Sequence, residues 1–568
     1  MGDAPFSELR FVPERSTISK REQELEIARQ RSHAAKVSHQ KRRLKQQASF
    51  ADYSKIVYYA PETRTYKVLV ENDSPDQDDP GSSTHTAGPV ETQLQLLQQV
   101  DETARSISDI IPGRHSDPFN AQGVSISPRI NQLLTFIRDI YLPGLYVTSF
   151  TKRSGAATPP VTTYAEGFNL SGHRRAFTIW TSMKEELTDQ GRALAWLSSY
   201  APVMARYSSP HVRRELLLMA TEMKLKSMSI LKKKIGSLSN TLPPDIALLA
   251  QIVSLFRASC KKRDLTSAKV HAEIIRCLID RIHQGSHQIR TLFITLLSND
   301  TEVALSNMSH TFFEYERWVE AQFQKFWWNQ GIFNLPPVPL QHLDLHPSIR
   351  ILPSRSACIR LRRYLMIRRM KMNLKDPEDV ARSDVIFAWV SNYSMYDLGL
   401  LMNVYVNLLE GRGYDQSLVI RSAEASVALT ALYCYRWGIH QATIYGGDHR
   451  DGMHLTIINR LQNVLQTTLE LATPQDLLHY QETILWMLFY GARYEYRVNR
   501  KNPNKTTTTS QRWFGHKFAQ QVHVLGLSTW EDVRQVMRRF IFFEFLELDV
   551  DLWFEETLQE FSQLTSQV

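Results

Sequence analysis

The sequence predicts an all-α protein, and three observations support this fold class. Leu, Met, Arg and aromatic side chains are abundant, whereas only 23 of the 568 residues are Gly. From about residue 127 onward apolar residues recur at intervals of three and four, as in Leu133, Leu134, Ile137 and Tyr141, which is typical of a helix face. The sequence shows neither alternating strand and helix patterns nor a repeat of fixed period. We therefore expect residues 127–568 to form one large helical array.

The first 70 residues form a basic arm. The segment Arg15–Lys45 holds ten Lys and Arg side chains and three Glu carboxylates, and so accounts for seven of the nine net positive charges. Ser19 and Glu22 have the spacing of a capping box, which predicts a helix over Lys20–Gln47. Its apolar residues are few and small, so this helix lacks a stripe that could face a core. We expect a solvated basic helix.

The strongest functional candidate of the sequence is the run of cations in this arm. Clusters of this size are recognised by a nuclear import receptor or lie on phosphates, and a solvated helix with no partner is the third alternative. The arm lacks the base-reading Asn of a basic-region helix, and no leucine heptad follows it, so we expect at most weak, non-specific nucleic-acid contact. The residues assigned to nuclear targeting or phosphate contact are Arg29, Arg31, Lys36, Lys41, Arg42, Arg43 and Lys45.

Residues 71–126 are a polar linker between the arm and the body. The stretch Asp73–Pro89 is rich in Pro, Gly, Ser and Asp. It has too little apolar surface to offset the entropy lost on ordering, and we therefore expect disorder there.

Successive amphipathic segments predict the helices of the body. In one of them, Leu216, Ala220 and Met223 share a face with Leu231. Near the C-terminus Ser528 and Glu531 match a second capping box, ahead of an inner face that contains Val533, Val536, Met537, Phe540 and Ile541. The predicted helical segments include 216–231, 246–256, 270–282, 289–297, 398–409, 423–437, 455–471 and 477–490.

Enzyme motifs are not found, and the sequence predicts no catalytic residue, no cofactor and no metal. It contains no nucleophile elbow, phosphate loop or dinucleotide fingerprint. Its four cysteines, Cys260, Cys277, Cys358 and Cys434, lack the spacing of a zinc site, and we expect them to be buried apolar side chains. No apolar run reaches the 18 residues of a membrane span, so we expect no membrane partner.

Two groups of His and Asp residues are weak metal candidates. Both fall in segments containing Gly or Pro, which favour irregular loops, and neither has the spacing of a helical ligand pair. The first group is His440, Asp448, His449, Asp451 and His454, and the second is His342, Asp344 and His346.

Two further segments have a functional and a structural interpretation. The segment Arg360–Lys375 carries seven cations beside Leu and Met residues, and we expect its apolar face to be buried and its arginines to lie in water. The aromatic segment Phe323–Trp328 is a candidate platform for stacking bases, but we expect it to belong to the core. The turn Gly411–Gly413 is expected to end a helix rather than to bind phosphate.

The C-terminal half contains an ordered series of local motifs. Leu485–Ala492 reads LWMLFYGA, Arg512–Phe514 reads RWF, Trp530–Val533 reads WEDV and Arg538–Phe540 reads RRF, with Trp553 downstream. In this order they resemble the C-terminal part of the fungal-specific transcription factor domain family. Further similar motifs are Ser116–Phe119, Met219–Leu231, Ile246–Phe256, Ala268–His271 and Leu296–Asp300.

The resemblance covers roughly residues 115–560 and implies a nuclear regulatory protein. It implies other transcription regulators as partners, and it is compatible with a homodimer. Many members carry a six-cysteine zinc cluster near the N-terminus, but here no cysteine precedes Cys260. We therefore expect a transcriptional regulator or co-regulator that acts through protein contacts. A cytosolic helical adaptor and a helical enzyme with an unrecognised site are the alternatives.

Overall fold

The computed structural model describes fourteen stretches of the chain. Its contacts separate two compact units, Met1–Ala87 and Gly88–Val568. In the first unit, β1 (Tyr58–Tyr59) pairs antiparallel with β2 (Tyr66–Lys67). The stretches described are 58–59, 66–67, 124–142, 162–163, 180, 186–236, 245–282, 286–327, 335–339, 343–373, 376–444, 452–500, 512–547 and 549–565.

The second unit is helical, which confirms the predicted all-α fold class. Its described strands are β3 (Thr162–Thr163) and β4 (Lys371–Met372), which pair antiparallel over two residues each. A pair this short contributes little beside the surrounding helices.

Side-chain caps begin the first helices of this unit. The Ser127 Oγ accepts a hydrogen bond from the Ile130 N–H at 3.3 Å, and an Asp189 carboxylate oxygen accepts one from the Arg192 N–H at 2.8 Å. Each cap satisfies a backbone donor that has no partner within its own helix. These helices are α1 (Pro128–Phe136), α2 (Gln190–Arg206), α3 (Pro210–Gly236), α4 (Ile246–Lys261), α5 (Leu265–Asp280) and α6 (His287–Asn307).

The middle of the unit is organised around one long helix, α9 (Pro377–Glu410). Pro377 occupies the first helical position, where a missing N–H costs nothing. The helix ends at Gly411, whose φ of 70° is left-handed, as expected for this helix-terminating turn. The neighbouring helices are α7 (Glu320–Phe326) and α8 (Leu352–Arg369).

The remaining helices complete the C-terminal half. They are α10 (Leu418–Cys434), α11 (Gly452–Leu471), α12 (Pro474–Leu477), α13 (Gln481–Arg500), α14 (Trp513–Val524), α15 (Trp530–Met537) and α16 (Val550–Thr565).

The buried apolar residues form three clusters in chain order. The first joins α1, α2 and α3. The second joins α4, α5, α6 and α7, and the third, which is the largest, joins α8 to the C-terminal helices. Residues of α9 enter both the second and the third cluster, so this helix connects the two cores.

Three local predictions are wrong. The cap of α15 is Thr529 rather than Ser528: its hydroxyl accepts from the Asp532 N–H, and the Asp532 carboxylate accepts from the Thr529 N–H. Phe540 and Ile541 are buried beyond the end of this helix. Cys277 is exposed, whereas the other three cysteines are buried as expected.

Candidate protein-binding surface

The predicted targeting residues lie outside the described residues. This holds for Arg29, Arg31, Lys36, Lys41, Arg42, Arg43 and Lys45, and for the Ser19–Glu22 capping box. It also holds for the stretch Asp73–Pro89, where we expect disorder. The functional assignment of the arm therefore stays a prediction.

The helix α3 has an inner face that packs into the body. Leu216, Ala220, Met223 and Leu231 are buried, as the apolar spacing predicts, and they contact the cores of the neighbouring helices. The helix lies along α2 and also touches α4. Its inner face thus explains why 27 residues remain helical here.

Polar contacts on this inner side hold α3 in one position. The Ser227 hydroxyl donates to the Gly191 carbonyl at 2.8 Å, and the Gln251 amide donates to the Ser227 carbonyl at 3.0 Å. The Lys224 ammonium lies 3.0 Å from an Asp264 carboxylate oxygen. Buried hydrogen bonds of this kind are costly to break, so α3 presents its opposite side as a rigid surface.

The outer face of α3 carries a second apolar stripe. Leu218 is 58 % exposed and Leu225 is 61 % exposed, and Leu217, Met228 and Ile235 are also exposed. Leu218 and Leu225 lie one heptad apart, as do Met228 and Ile235, so the four lie on two adjacent lines of one helix face. Single exposed apolar residues are common on proteins, but a continuous stripe on one helix is typical of a binding surface.

Cations surround this stripe. Arg214, Lys226, Lys232 and Lys233 are exposed, and they take part in none of the ion pairs between described side chains. Within α3 the one exposed carboxylate is that of Glu222, because Glu215 is half-buried and pairs with Arg129. The outer face of α3 is therefore apolar along its middle and positively charged at its margins.

A shallow depression of about 340 Å³ lies at the N-terminal end of this face. It is open to solvent and combines apolar and guanidinium groups. The residues that line it are Pro210, Arg213, Arg214, Leu217, Leu218 and Thr221.

The His and Asp groups noted as metal candidates do not assemble into a site in the described part of the chain. His346 stacks on Phe540 and its Nδ1 shares a hydrogen bond of 2.6 Å with the Ser348 hydroxyl, while its Nε2 lies 3.1 Å from a Glu482 oxygen. His454 is buried edge-on against Tyr433. His342, Asp448, His449 and Asp451, and the His440 side chain, lie outside the described residues. No three His, Cys, Asp or Glu side chains that are described come together as metal ligands.

Arg360 and Arg362 of α8 are not left in water, contrary to the sequence prediction, whereas Arg369 is exposed as predicted. Arg360 donates two hydrogen bonds of 3.0 Å from its Nε to the fully buried Asp397 carboxylate, and the Tyr435 hydroxyl donates to the same carboxylate at 2.5 Å. Arg362 donates to backbone carbonyls, among them that of Arg538 at 2.7 Å. These cations hold α8 to its neighbours, while Leu361 and Leu365 are buried as expected.

The aromatic segment is core, as predicted. Phe323 and Trp327 stack at 4.8 Å between ring centroids, and both are buried with Phe326 against Phe293. Trp328 lies outside the described residues.

A second buried charge cluster joins α13 to the C-terminal segment. Arg493 donates to Glu547 and to Asp549, each at 2.6 Å, and Arg497 donates to Glu547 at 2.8 Å and to the Tyr433 hydroxyl at 2.8 Å. Each carboxylate is shared between two guanidinium groups, because Arg500 also pairs with Asp549. The cluster pairs three guanidinium groups with two carboxylates and so links α13 to the segment before α16.

Three buried carboxyl groups have raised pKa values. Burial raises the pKa of Asp300, Glu424 and Glu495 to about 7 in each case. Asp300 accepts the Phe312 N–H at 2.7 Å, and Glu495 accepts the N–H groups of residues 514 and 515 at the start of α14. These three groups therefore have backbone or tyrosine partners that fix loops and helix ends.

Sequence reasoning identified the inner face of α3 but missed the outer one. The heptad of Leu218, Leu225 and Lys232 was visible in the sequence, yet the spacing alone does not say which of two apolar stripes is buried.

No helix described in the structure has both the length and the apolar composition needed to cross a membrane. No protein-family model, curated protein or solved structure matches this chain.

Proposed function

We propose that this chain is a nuclear transcriptional regulator or co-regulator that acts through protein contacts of its helical body. The observation that carries the proposal is the outer face of α3, an exposed leucine stripe on a helix that is fixed to the body from its other side. Such a face is suited to bind another protein, because burying it removes apolar surface from water without remodelling the helix.

The buried ionic groups support a binding role rather than a chemical one. Arg360 is occupied by Asp397, and Arg493 by Glu547. These ion pairs lie inside the helical packing, where they hold elements together. In the described part of the chain, the outer face of α3 leaves a stripe of apolar side chains exposed to a partner.

The basic arm supports the nuclear part of the proposal. Its cations from Arg29 to Lys45 match the composition recognised by a nuclear import receptor, and they also allow weak, non-specific nucleic-acid contact. The resemblance of residues 115–560 to the fungal-specific transcription factor domain family supports a regulatory role. The lack of any cysteine before Cys260 makes a partner, rather than a zinc cluster of this chain, the source of DNA-sequence recognition.

The location of the full-length tagged protein in its own cells tests the nuclear assignment. We expect nuclear accumulation, and we expect its loss when Lys41, Arg42, Arg43 and Lys45 are replaced together by Gln. The matched control replaces Arg42 and Arg43 by Lys, which keeps the charge and should keep the protein in the nucleus. A wild-type protein that stays in the cytosol would contradict the proposal and favour the helical adaptor.

Chromatin occupancy tests the regulatory assignment separately from location. We expect the wild-type protein at discrete genomic positions, and we expect the Leu218→Glu/Leu225→Glu variant to lose occupancy there while it remains nuclear. A nuclear protein with no enrichment at any genomic position would contradict a role in transcription.

A further inference from the structure

We propose that the outer face of α3 binds an acidic amphipathic helix of another protein. This inference rests on the function proposed above and names the class of partner for the same surface.

The stripe has the periodicity of a helix–helix seam. In heptad terms, one line contains Leu218, Leu225 and Lys232, and the line beside it contains Thr221, Met228 and Ile235. Alternate steps of three and four residues are the spacing at which the side chains of a second helix insert between those of the first. A partner helix laid along this seam would therefore cover Leu218, Leu225 and Met228.

Cations mark both ends of the seam. Arg214 lies one heptad before Thr221, and Lys232 lies one heptad after Leu225, so the two charges are about 27 Å apart along the helix axis. Lys226 and Lys233 lie beside the seam. Lys262, the residue that follows α4, donates a hydrogen bond from its ammonium group to the Thr221 hydroxyl. A partner helix of about 20 residues with carboxylates towards both ends would pair with these cations.

The same cations oppose pairing with a second copy of this chain. In a parallel pair, Lys232 of each copy would face its equivalent. In an antiparallel pair centred at Met223, Lys232 would lie opposite Arg214, while Leu225 would meet Thr221. Like charges in such positions are destabilising, and the one exposed carboxylate of α3, Glu222, lies beside the middle of the seam rather than at its ends.

Binding of a designed peptide to the purified full-length protein tests the proposal. The probe is a labelled helical peptide of about 20 residues with Leu at heptad positions and Glu near both ends, and fluorescence anisotropy measures its affinity. A peptide with Gln in place of every Glu is its matched control. We expect the Glu peptide to bind about 10-fold more tightly than the Gln peptide at low salt, and the difference to shrink as salt is added.

Variants of the protein locate the binding site. Leu218→Glu/Leu225→Glu should lower the affinity for the Glu peptide by about 10-fold or more, because it removes the apolar centre of the seam. Leu552→Glu is the matched control, since Leu552 of α16 is also 58 % exposed and lies in a first turn where Glu is favourable. Arg214→Glu/Lys232→Glu should invert the preference towards a peptide with Lys near both ends. Circular dichroism of each variant confirms that the helical fold is kept.

Four outcomes would overturn the proposal. The first is equal binding of the Glu and Gln peptides, and the second is that the Leu218→Glu/Leu225→Glu variant binds the Glu peptide as tightly as the wild type. The third is a concentration-dependent wild-type dimer that is lost in this variant. The fourth is wild-type binding to anionic phospholipid vesicles that is lost in this variant. The last two would assign the surface to a second copy or to a membrane. A protein that is nuclear and occupies chromatin but ignores the Glu peptide would refute this inference and leave the proposed function standing.

Discussion

Arg493 of α13 and Glu547, just before α16, form an ion pair in the interior, with 2.6 Å between the arginine Nε and a glutamate oxygen. Arg493 is 1 % exposed, and its guanidinium also lies 5.0 Å from the centre of the Trp553 ring. The pair connects two segments that are 54 positions apart in sequence, and a buried ion pair of this kind is costly to break from one side.

We expect Arg493→Met to lower the free energy of unfolding by about 3 kcal/mol, because the buried Glu547 keeps Arg497 but loses the guanidinium that contacts its other oxygen. Arg500→Met is the control: Arg500 pairs with Asp549 too but is largely exposed, so its loss should cost less than about 1 kcal/mol. Urea unfolding followed by circular dichroism measures both. Equal effects of the two substitutions would show that the buried ion pair contributes no more to the free energy of unfolding than the exposed one.

Gly399 allows the close approach of α9 to the ring of Tyr315. A Cβ at this position would lie 2.1 Å from the Tyr315 Cε1, and the ring is fully buried and has no room to move. We expect Gly399→Ala to destabilise the protein by about 1–3 kcal/mol or more through overpacking. Gly452→Ala, where no atom lies within 4 Å of the added Cβ, should be neutral or stabilising in the same thermal unfolding assay. A stable Gly399→Ala variant would contradict the packing.

The raised pKa of Asp300 makes stability depend on pH. The folded protein holds this carboxyl protonated up to about pH 7, whereas the unfolded chain ionises it near its ordinary value of 3.8. The contribution of Asp300 to stability is therefore complete below about pH 4 and is lost as the pH rises towards 7. Asp300→Asn keeps an oxygen for the Phe312 N–H and removes this loss.

We therefore expect Asp300→Asn to gain stability over the wild type between pH 5 and pH 7.5, by about 3 kcal/mol at most. Urea unfolding midpoints at the two pH values measure the gain, and Asp551→Asn on the exposed side of α16 is the control. If the stability of the Asn variant relative to the wild type instead falls as the pH rises, the buried carboxyl is not protonated in the folded state.

Thr529 and its neighbour Ser528 differ in how much they contribute to the N-terminal cap of α15. Thr529→Ala removes the hydroxyl that accepts the Asp532 N–H, and we expect a loss of about 1 kcal/mol. Ser528 only adds contacts to the Asp532 carboxylate, so Ser528→Ala should cost a few tenths of that figure. A larger loss for Ser528→Ala in chemical unfolding would restore the cap predicted from sequence.

The sequence predicted the helices because their apolar periodicity is local, and it failed where an outcome depends on a distant residue. The capping-box pattern fits both Ser528 with Glu531 and Thr529 with Asp532, and the backbone geometry decides between them. Arg360 looks like a solvated cation until the fold brings Asp397 to it from 37 positions away. In α3, Leu216 and Leu218 have the same local signals, and only the packing of α2 determines that the first is buried and the second exposed.

The transcripts of cells that carry the Leu218→Glu/Leu225→Glu variant test the central claim most directly. With this variant at wild-type abundance and in the nucleus, we expect the same set of transcripts to change as in cells that lack the gene. Cells carrying Leu552→Glu should match the wild type. The contrary result would be that deleting the gene changes transcript levels, whereas the α3 variant leaves them at wild-type levels. It would contradict the claim that the protein regulates transcription through this face.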